Sequence, residues 1–380
     1  MKKIYYITAV FATLFLVGCG DGIDLPGVNV ETDLNKIPLP DNNVNLEQVE
    51  LKSSTEPMLH EGLHTEEDFQ RIRDKKAAGE EPWVSAYQLL VESQFSQKTA
   101  DTYPTEWIKR GISGDENYMN AARGATIVYQ QALRWKIEQD DEYAAKAVEN
   151  LNKWVQTCVG VTGNTNLSLA AGLYGYEFAI AGELLRDYGG WDRADFAAFQ
   201  NWLLKVFYPA NDDFLKRHHD TNALHYWANW CLCNIAAKMA IGIVTDRRDI
   251  YNEGIDHLQT GDTNGRLRRA IYHDYAPDYN FAQWQESGRD QGHTLMCVGL
   301  MGIICQLAWS QGDDFFAYDD NLFMRACEYA ACCNYTNETV PYTTYIWQKQ
   351  SQWGYPIPEE QTTLGGGKWI KRAIWALPYY

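Results

Sequence analysis

The chain has 380 residues, of which 46% are hydrophobic and 13% aromatic, and its formal net charge at pH 7 is -17. Such a strong negative charge argues against nucleic acid as a partner, because a polyanion would be repelled. An enzyme that acts on acidic polymers would need a local basic cleft. The candidate residues for such a cleft are Lys216, Arg217, Arg266, Arg268, Arg269 and Arg289.

The amino terminus has the pattern of a bacterial lipoprotein signal. Lys2 and Lys3 precede the apolar run IYYITAVFATLFLV, and Leu16-Val17-Gly18-Cys19 resembles a lipobox, in which the cysteine thiol is lipidated. Residues 1–18 are therefore predicted to be a signal peptide, and a lipid on Cys19 would tether the protein to a membrane. We therefore expect a bacterial lipoprotein that is periplasmic or is anchored to the outer membrane or the cell surface.

The next segment, residues 19–57, is predicted to be a flexible linker. It is rich in Asp, Asn, Pro, Val and Glu and shows no helical period. No second linker interrupts residues 58–380, a length that can bury one large core. We therefore predict a single catalytic domain over residues 58–380 and expect a monomer.

Amphipathic helices follow one another through this domain. The first begins at Thr65, a natural N-cap, with Asp68 at the third helical position. Apolar residues then recur at helical spacing. The predicted helices cover residues 65–78, 82–97, 117–139, 141–158, 166–187, 192–206, 221–244, 248–258, 287–310 and 321–334. Because no fixed-period repeat is present, this pattern predicts an all-α toroid of helical hairpins rather than a regular repeat array.

Nine cysteines are present, and Cys19 is the predicted lipid site. The others lie mostly in apolar helical segments without the spacing of a metal site, which favours buried thiols that act as small hydrophobes. One or two disulfides are the alternative in an oxidising compartment.

A first polar set lies at the start of the predicted helix 221–244. On a helix, Asn222, His225 and Asn229 fall at positions i, i+3 and i+7 and form one polar stripe. Asn166, with Asn164 beside it, could add an amide to the same site or simply cap the helix that follows. Trp227 offers a flat aromatic face of the kind that holds sugar rings.

A second polar set is the string Glu286-Ser287-Gly288-Arg289-Asp290-Gln291-Gly292-His293, which heads a strongly apolar helix. Polar groups at the mouth of a buried helix are costly unless they pair with one another or with a ligand. If the segment is helical, Arg289 and His293 lie one turn apart on one face, while Glu286 and Asp290 brace Arg289. A purely structural ion pair is the alternative.

Amides, imidazoles, an arginine and loop tyrosines suit β-elimination at a uronic acid. The proton on carbon 5 becomes removable when donors neutralise the neighbouring carboxylate and stabilise the enolate-like intermediate. A base must take that proton, and an acid must protonate the glycosidic oxygen on carbon 4. A tyrosine can serve both steps if an arginine lowers its pKa from about 10.

The string ESGRDQGHT, with NALHYWANW upstream and the opening HEGLHTEEDFQRIR, resembles the alginate lyase superfamily of polysaccharide lyases over most of residues 60–380. The resemblance implies an incomplete (α/α) toroid. It also implies cleavage of anionic uronate polymers, such as alginate, polymannuronate or glucuronan, without a metal or another cofactor.

In related lyases an Asn-His pair begins a helix that contains a YWA string. Tyr226-Trp227-Ala228 matches that string, but the histidine position of the pair is Leu224 and the imidazole is at His225. The family's tyrosine follows the arginine in the same helix. Because no tyrosine follows Arg289 in its helix, we expect the tyrosine to come from the preceding loop.

The predicted catalytic residues are therefore Tyr279, His225 and Arg289. Tyr279 would be the general acid and could also act as base, with Tyr275 and Tyr272 as alternatives. His225 would be a base or a carboxylate neutraliser, and Arg289 would tune the tyrosine. The predicted substrate-binding residues are Asn222, Asn166, Asn229, His293 and Trp227.

Two other functions fit parts of the pattern. A glycoside hydrolase could use Glu286 and Asp290, although those residues are one helical turn apart and hydrolase carboxylates must flank the scissile bond. A non-catalytic glycan-binding lipoprotein would explain the aromatic residues but not the two polar sets.

Two strings contain part of a metal-site pattern. His218, His219, Asp220 and His225 could form a metal site, but adjacent histidines point in different directions on regular backbone. The string Asp262-Thr263-Asn264-Gly265 lacks the remaining ligands of a calcium loop and is better read as a turn.

Overall fold

The computed structural model describes residues 49, 51, 55–351 and 354–367. The predicted signal peptide, the predicted lipid site Cys19 and most of the predicted linker lie outside the described residues. Val49 and Leu51, inside that linker, pack partly buried against the core. Arg248 also donates to the backbone carbonyls of Glu56 and Pro57 (2.8 and 2.9 Å).

The described chain is mainly helical. Its helices are α1 (Glu66–Ala77), α2 (Trp83–Glu92), α3 (Tyr118–Glu138), α4 (Asp141–Thr157), α5 (Asn166–Leu185), α6 (Arg193–Val206), α7 (Tyr208–Arg217), α8 (Ala228–Val244), α9 (Arg248–Thr260), α10 (Leu267–Ala270), α11 (Gln291–Ser310) and α12 (Tyr318–Tyr335).

Short strands connect or flank these helices. Parallel strands β1 (Trp107–Arg110) and β2 (Gly160–Gly163) pair with each other. Two antiparallel pairs follow, β3 (Ile271–Asp274) with β4 (Ala282–Trp284), and β5 (Tyr345–Gln350) with β6 (Pro356–Gln361). The last pair forms a carboxy-terminal hairpin.

The helices form an inner and an outer layer. Inner helices α5, α8 and α11 are buried almost all round, and α3 over most of its length, whereas outer helices α4, α6 and α9 bury one face only. Helix α5 packs between α3 and α8, and α11 packs against α8 and α12. This arrangement confirms the predicted (α/α) toroid of helical hairpins. Helix α11 is apolar and long enough to cross a membrane, but 78% of its most apolar stretch is buried inside the domain.

The inner helices begin at one end of the toroid. The parallel pairing of β1 with β2 places the starts of α3 and α5 side by side. Helices α5 and α8 run so close that a Cβ on Gly172 would lie 2.5 Å from Sγ of Cys233. Side chains that precede α11 bond to the first residues of α8. We call this end the amino-terminal mouth. It comprises residues 107–118, 160–168, 218–229 and 284–293.

The cysteines of the described chain are all buried, and none of them is joined in a disulfide there. Cys231 and Cys233 lie on α8, and Cys297 and Cys305 lie on α11. The prediction of buried thiols is confirmed, and the described part of the chain contains no disulfide.

The region between α6 and α8 differs from the prediction. The predicted helices leave residues 207–220 uncovered, but residues 208–217 form α7, because Pro209 in the first turn favours a helix start. The helix predicted from residue 221 begins only at Ala228. Asn222 is the reason for this delay: its Oδ1 accepts a hydrogen bond from the backbone N–H of Leu224 (3.1 Å) and holds a local turn.

The amino terminus of α1 carries the predicted capping box. Thr65 Oγ1 accepts from the backbone N–H of Asp68 (3.1 Å), and Asp68 Oδ2 accepts from the backbone N–H of Thr65 (2.9 Å). We expect Thr65→Ala to lower the free energy of unfolding by about 1 kcal/mol, because one helix N–H loses its acceptor. Urea unfolding measures the effect, and Thr65→Ser, which keeps the hydroxyl, is the control. Equal stability of the alanine variant would show that the cap contributes nothing.

Candidate active site

The first predicted polar set does not form a helical stripe, because residues 221–227 lie outside α8. Asn222 Nδ2 donates to Gln350 Oε1 on the carboxy-terminal hairpin (2.9 Å). Asn229 is fully buried, and its Nδ2 lies 3.6 Å from Sδ of Met296. The predicted polar stripe is therefore wrong: Asn222 is held by the hairpin, and Asn229 is enclosed in the core, where its Oδ1 has no hydrogen-bond partner within the described residues.

His225 is held by strand β5. The backbone N–H of Gln350 donates to Nδ1 of His225 (2.8 Å), and Trp347 Nε1 donates to its carbonyl (2.7 Å). Burial, with a contribution from the charge of Lys349, lowers the pKa of His225 to about 4. The ring is therefore neutral at physiological pH. Because Nδ1 accepts, the proton lies on Nε2, which makes His225 better suited to neutralise a carboxylate than to act as base.

The lowered pKa of His225 predicts a pH dependence of stability. The unfolded chain binds a proton near pH 6.5, whereas the folded ring takes one only near pH 4. The free energy of unfolding should therefore fall between pH 6.5 and pH 4, by about 1 kcal/mol per pH unit from this group. Urea unfolding at several pH values tests this, and His225→Asn should show a shallower fall. The same slope in both proteins would contradict the assignment.

Aromatic rings connect the starts of α5, α8 and α11. Tyr226 lies between the rings of His219 (5.7 Å) and His225 (4.9 Å). Trp347 stacks on His225 at 5.9 Å and on Trp227 at 4.6 Å. We call this set the aromatic ladder; it consists of His219, Tyr226, His225, Trp347 and Trp227. The guanidinium carbon of Arg289 lies 5.2 Å from the centre of the Trp227 ring, at the end of this set. The two predicted polar sets therefore meet at the amino-terminal mouth.

The segment before α11 is a turn rather than helix, because α11 begins at Gln291. Asp290 is its N-cap: Oδ1 accepts from the backbone N–H of His293 (2.8 Å), and Oδ2 pairs with His293 Nδ1 (2.5 Å). Arg289 and His293 therefore do not share a helical face as predicted. The predicted bracing of Arg289 is confirmed by contacts with Glu286 (3.3 Å) and Asp290 (3.9 Å).

Glu286 joins α8 to this turn. It is fully buried, and its Oε1 accepts from the backbone N–H of Asn229 (3.2 Å) while Oε2 faces Arg289. Gln285 Oε1 caps the neighbouring N–H of Ala228 (3.0 Å). The carboxylate therefore has a structural role. Being buried at 0% exposure, it cannot flank a scissile bond with Asp290, which argues against the hydrolase alternative.

The carboxy-terminal hairpin and the glycines after it cover this turn. Tyr345 Oη accepts from the backbone N–H of Gly288 (3.1 Å). The backbone N–H of Gly365 donates to the carbonyl of Ser287 (2.8 Å), and Gln291 N–H donates to the carbonyl of Gly366 (2.8 Å). Residues far apart in sequence thus fix the position of Arg289.

The candidate tyrosines differ in their surroundings. Tyr279 is 53% exposed on the loop between β3 and β4, and its ring contacts Tyr275 at 6.5 Å rather than Arg289. The hydroxyl of Tyr275 is engaged by Gln283 (2.5 Å) and Thr343 (3.1 Å). The expected pairing of Tyr279 with Arg289 is therefore not found among the described contacts, since the loop carries Tyr279 into solvent.

Tyr272 occupies a different position. It lies half-buried on β3 with its ring 4.9 Å from that of Tyr345. Tyr345 and Trp347 are two residues apart on β5 and so lie on one face of that strand. Within the described residues the hydroxyl of Tyr272 makes no hydrogen bond, and burial raises its pKa. Tyr272 therefore presents an unengaged phenol next to the aromatic ladder.

The start of α5 contributes a second imidazole. Asn164 Oδ1 accepts from both the backbone N–H and the Nδ2 of Asn166 (each 2.9 Å), although the N-cap position of α5 is Thr165. His219 Nε2 bonds with Ser168 Oγ (2.9 Å), and burial holds the pKa of His219 below its ordinary value. His219 is thus a second neutral imidazole at the mouth.

The backbone that carries His219 is unusual. His218, His219 and Asp220 have φ values of 50°, 53° and 61°, in the left-handed region that residues with a Cβ rarely adopt. Strain of this kind persists where the surrounding structure requires it, often at functional sites. From the sequence, these residues were predicted only as metal ligands, and Tyr226 was not predicted to be a site residue. Within the described residues no group of His, Cys, Asp and Glu side chains could hold a metal ion.

The comparisons with known proteins agree with this architecture. The alginate lyase family model matches residues 73–338. The fold is similar to an alginate lyase A1-III variant complexed with tetrasaccharide, at a TM-score of 0.56 and 14% identity over 75% of this chain and 82% of that chain. It is also similar to the apo form of that variant, at 0.54 and 14% over 75% and 83%.

Alginate lyase A1-III from Sphingomonas species A1 gives a TM-score of 0.52 and 13% identity over 73% of this chain and 79% of that chain. At such identities the solved structures show a likeness of fold alone. No curated protein sequence matches the chain. Because the family match spans more than half of the 380 residues, the chain belongs to the alginate lyase family of polysaccharide lyases.

Proposed function

We propose that this protein cleaves a 1,4-linked uronate polymer, such as alginate, polymannuronate or glucuronan, by β-elimination. The observation that carries the proposal is the aromatic ladder with Arg289 at its end. It places two neutral imidazoles, stacked aromatic faces and a guanidinium at the amino-terminal mouth. The positive ends of the inner helix dipoles meet at the same mouth and favour an anionic ligand.

The chemistry of these groups fits each part of the reaction. Nε2–H of His225 and the amide of Asn166 are donors that can neutralise the uronate carboxylate. Once it is neutralised, the C5–H bond breaks, its electron pair forms the C4–C5 double bond, and the C4–O bond breaks. The leaving glycosidic oxygen takes up a proton.

We assign the protonation of the leaving oxygen to Tyr272. Its raised pKa keeps it a phenol at rest, and its hydroxyl is unengaged within the described residues. The ionised fraction of the same side chain would first take the proton from carbon 5 and then give it to the leaving oxygen on carbon 4, if hydrogen and leaving group lie on one ring face. Tyr279, on its exposed loop, is then the alternative for this role, as is Tyr275. Trp347, which is partly exposed, offers a face for a sugar ring, whereas Trp227 is 9% exposed and lies against Trp347 and Arg289. His293 supports α11 through Asp290.

The test is a panel of uronate polysaccharides, with neutral polysaccharides as the control. We expect products that absorb ultraviolet light, because elimination leaves a ring double bond. New reducing ends without absorbance would indicate a hydrolase. Binding without either product would indicate a glycan-binding protein.

We also propose, on residues 16–19 alone, that the enzyme is anchored to a membrane through a lipid on Cys19. The full-length protein should then sediment with membranes, and Cys19→Ala should release it. Equal sedimentation of both proteins would refute the anchor.

A further inference from the structure

Arg110 is a buried cation without a carboxylate partner. It is the last residue of β1 and only 4% exposed. None of the carboxylates in the described chain lies within ion-pair distance of it, and its Nη1 is buried without a hydrogen-bond partner. Its one aromatic contact in that part of the chain is the ring of Tyr118, 4.7 Å from the guanidinium carbon.

The other buried cations of the described domain are paired. Arg134 pairs with Glu138, and Arg325 pairs with Asp274 (2.7 Å). Lys238 bridges two carboxylates on neighbouring helices, at 2.8 and 2.6 Å. A guanidinium stays protonated at physiological pH, so it cannot escape this requirement by losing its charge. Arg110 thus differs from them in lacking an anion, although a buried charge needs one.

The position of Arg110 points to where that anion comes from. Arg110 pairs in register with Gly163, three residues before the first residue of α5, and Tyr118 is the first residue of α3. The guanidinium therefore lies where two inner helices begin. Its charge also acts on the buried Tyr174 of α5 and Cys233 of α8, in each case opposing a pKa that burial raises. It thus lies on the floor of the amino-terminal mouth between α3, α5 and α8.

We infer that Arg110, with the amino terminus of α5, forms a subsite for the carboxylate of a uronate residue in the polymer chain. This inference rests on the proposed function and extends it. A carboxylate accepts two parallel hydrogen bonds from a guanidinium, and the free N–H groups at the start of α5 favour the same charge. The subsite therefore recognises the acid group of a sugar and would not bind a neutral sugar in its place.

The test compares Arg110→Met and Arg110→Lys with wild type. The control is Lys109→Met, which removes the same charge from the outward face of the same strand. Arg110→Met should raise KM for polyuronate about tenfold or more, with kcat changed far less, because a charge-assisted contact is lost. The KM of Arg110→Lys should lie between those of wild type and Arg110→Met, since an ammonium keeps the charge but cannot donate two parallel hydrogen bonds.

Two further measurements separate binding from structure. Calorimetry with a carboxyl-reduced oligosaccharide should give the same affinity for wild type and Arg110→Met. The melting temperature of Arg110→Met should equal or exceed that of wild type, because the variant removes an unpaired buried charge. A lower melting temperature, or equal loss of affinity for acidic and reduced oligosaccharides, would assign Arg110 a packing role and overturn the inference.

The remaining outcomes are also decisive. An unchanged KM in Arg110→Met would overturn the subsite while leaving the lyase activity standing. If acetate or phosphate stabilised wild type but not Arg110→Met, without any difference in uronate affinity, the site would serve small anions and the inference would fail. If no polymer yielded unsaturated product, the proposed function would fail, yet uronate affinity in the two proteins would still test Arg110 separately.

Discussion

Replacing Tyr272 with phenylalanine should lower kcat on a uronate polymer by about 10²- to 10⁴-fold, the usual contribution of a general acid–base group. The substitution removes a phenolic oxygen that has no hydrogen-bond partner in the described chain, from a ring that packs against Tyr345 on the strand that carries Trp347. Since that oxygen bonds to nothing else there, the free energy of unfolding should hardly change. Initial rates of ultraviolet absorbance and a urea titration measure the two effects.

Matched controls come from the neighbouring tyrosines. Tyr279→Phe should keep nearly full activity, because its side chain is 53% exposed. Tyr275→Phe should cost stability rather than chemistry, because its hydroxyl bonds to Gln283 and Thr343. An inactive Tyr279→Phe beside an active Tyr272→Phe would return the acid–base role to the loop tyrosine.

Replacing Glu286 with alanine should lower the free energy of unfolding by about 3 kcal/mol, the lower end of the cost of breaking a buried ion pair. The change leaves the buried N–H of Asn229 without its acceptor and Arg289 without its shorter ion pair. Because Arg289 stays close to Asp290 and the ring of Trp227, the loss should not reach the upper end of that range. Urea unfolding gives the value.

Asp290→Asn is the control for this loss. Asparagine is as good an N-cap as aspartate, so the start of α11 should stay intact and the change in stability should remain below about 1 kcal/mol. A Glu286→Ala protein as stable as wild type would mean that this carboxylate does not hold α8 and α11 together.

The fold could be predicted because its signals are local. The inner and outer helices were predicted from apolar residues that recur at helical spacing, and the start of α1 was predicted from the capping box at Thr65. The errors occurred where a side chain competes with the helical backbone. Asn222 bonds to the N–H of Leu224 and delays α8, and Asp290 caps α11 one residue before Gln291. A helical period cannot show either event.

The candidate site was predicted in part. The two polar strings do meet, since Glu286 accepts from the backbone N–H of Asn229. The position of His225 also depends on Trp347, which lies more than a hundred residues away in sequence and bonds to its carbonyl. The choice among the tyrosines depended on whether each hydroxyl already has a hydrogen-bond partner. Such partners come from tertiary contacts, which a sequence pattern does not show. No sequence pattern pointed to Arg110, because its lack of an ion-pair partner can be seen only in the three-dimensional structure.

The buried cysteines make it possible to measure local opening of the helices that carry them. Because those on α8, α11 and α12 are inaccessible in the folded domain, an alkylating reagent can reach each thiol only when its helix separates from its neighbours. Rates of modification followed by mass spectrometry would therefore rank the helices of the toroid by local opening free energy. Dithiothreitol should leave the melting temperature unchanged, since it has no cross-link to cleave in the described chain.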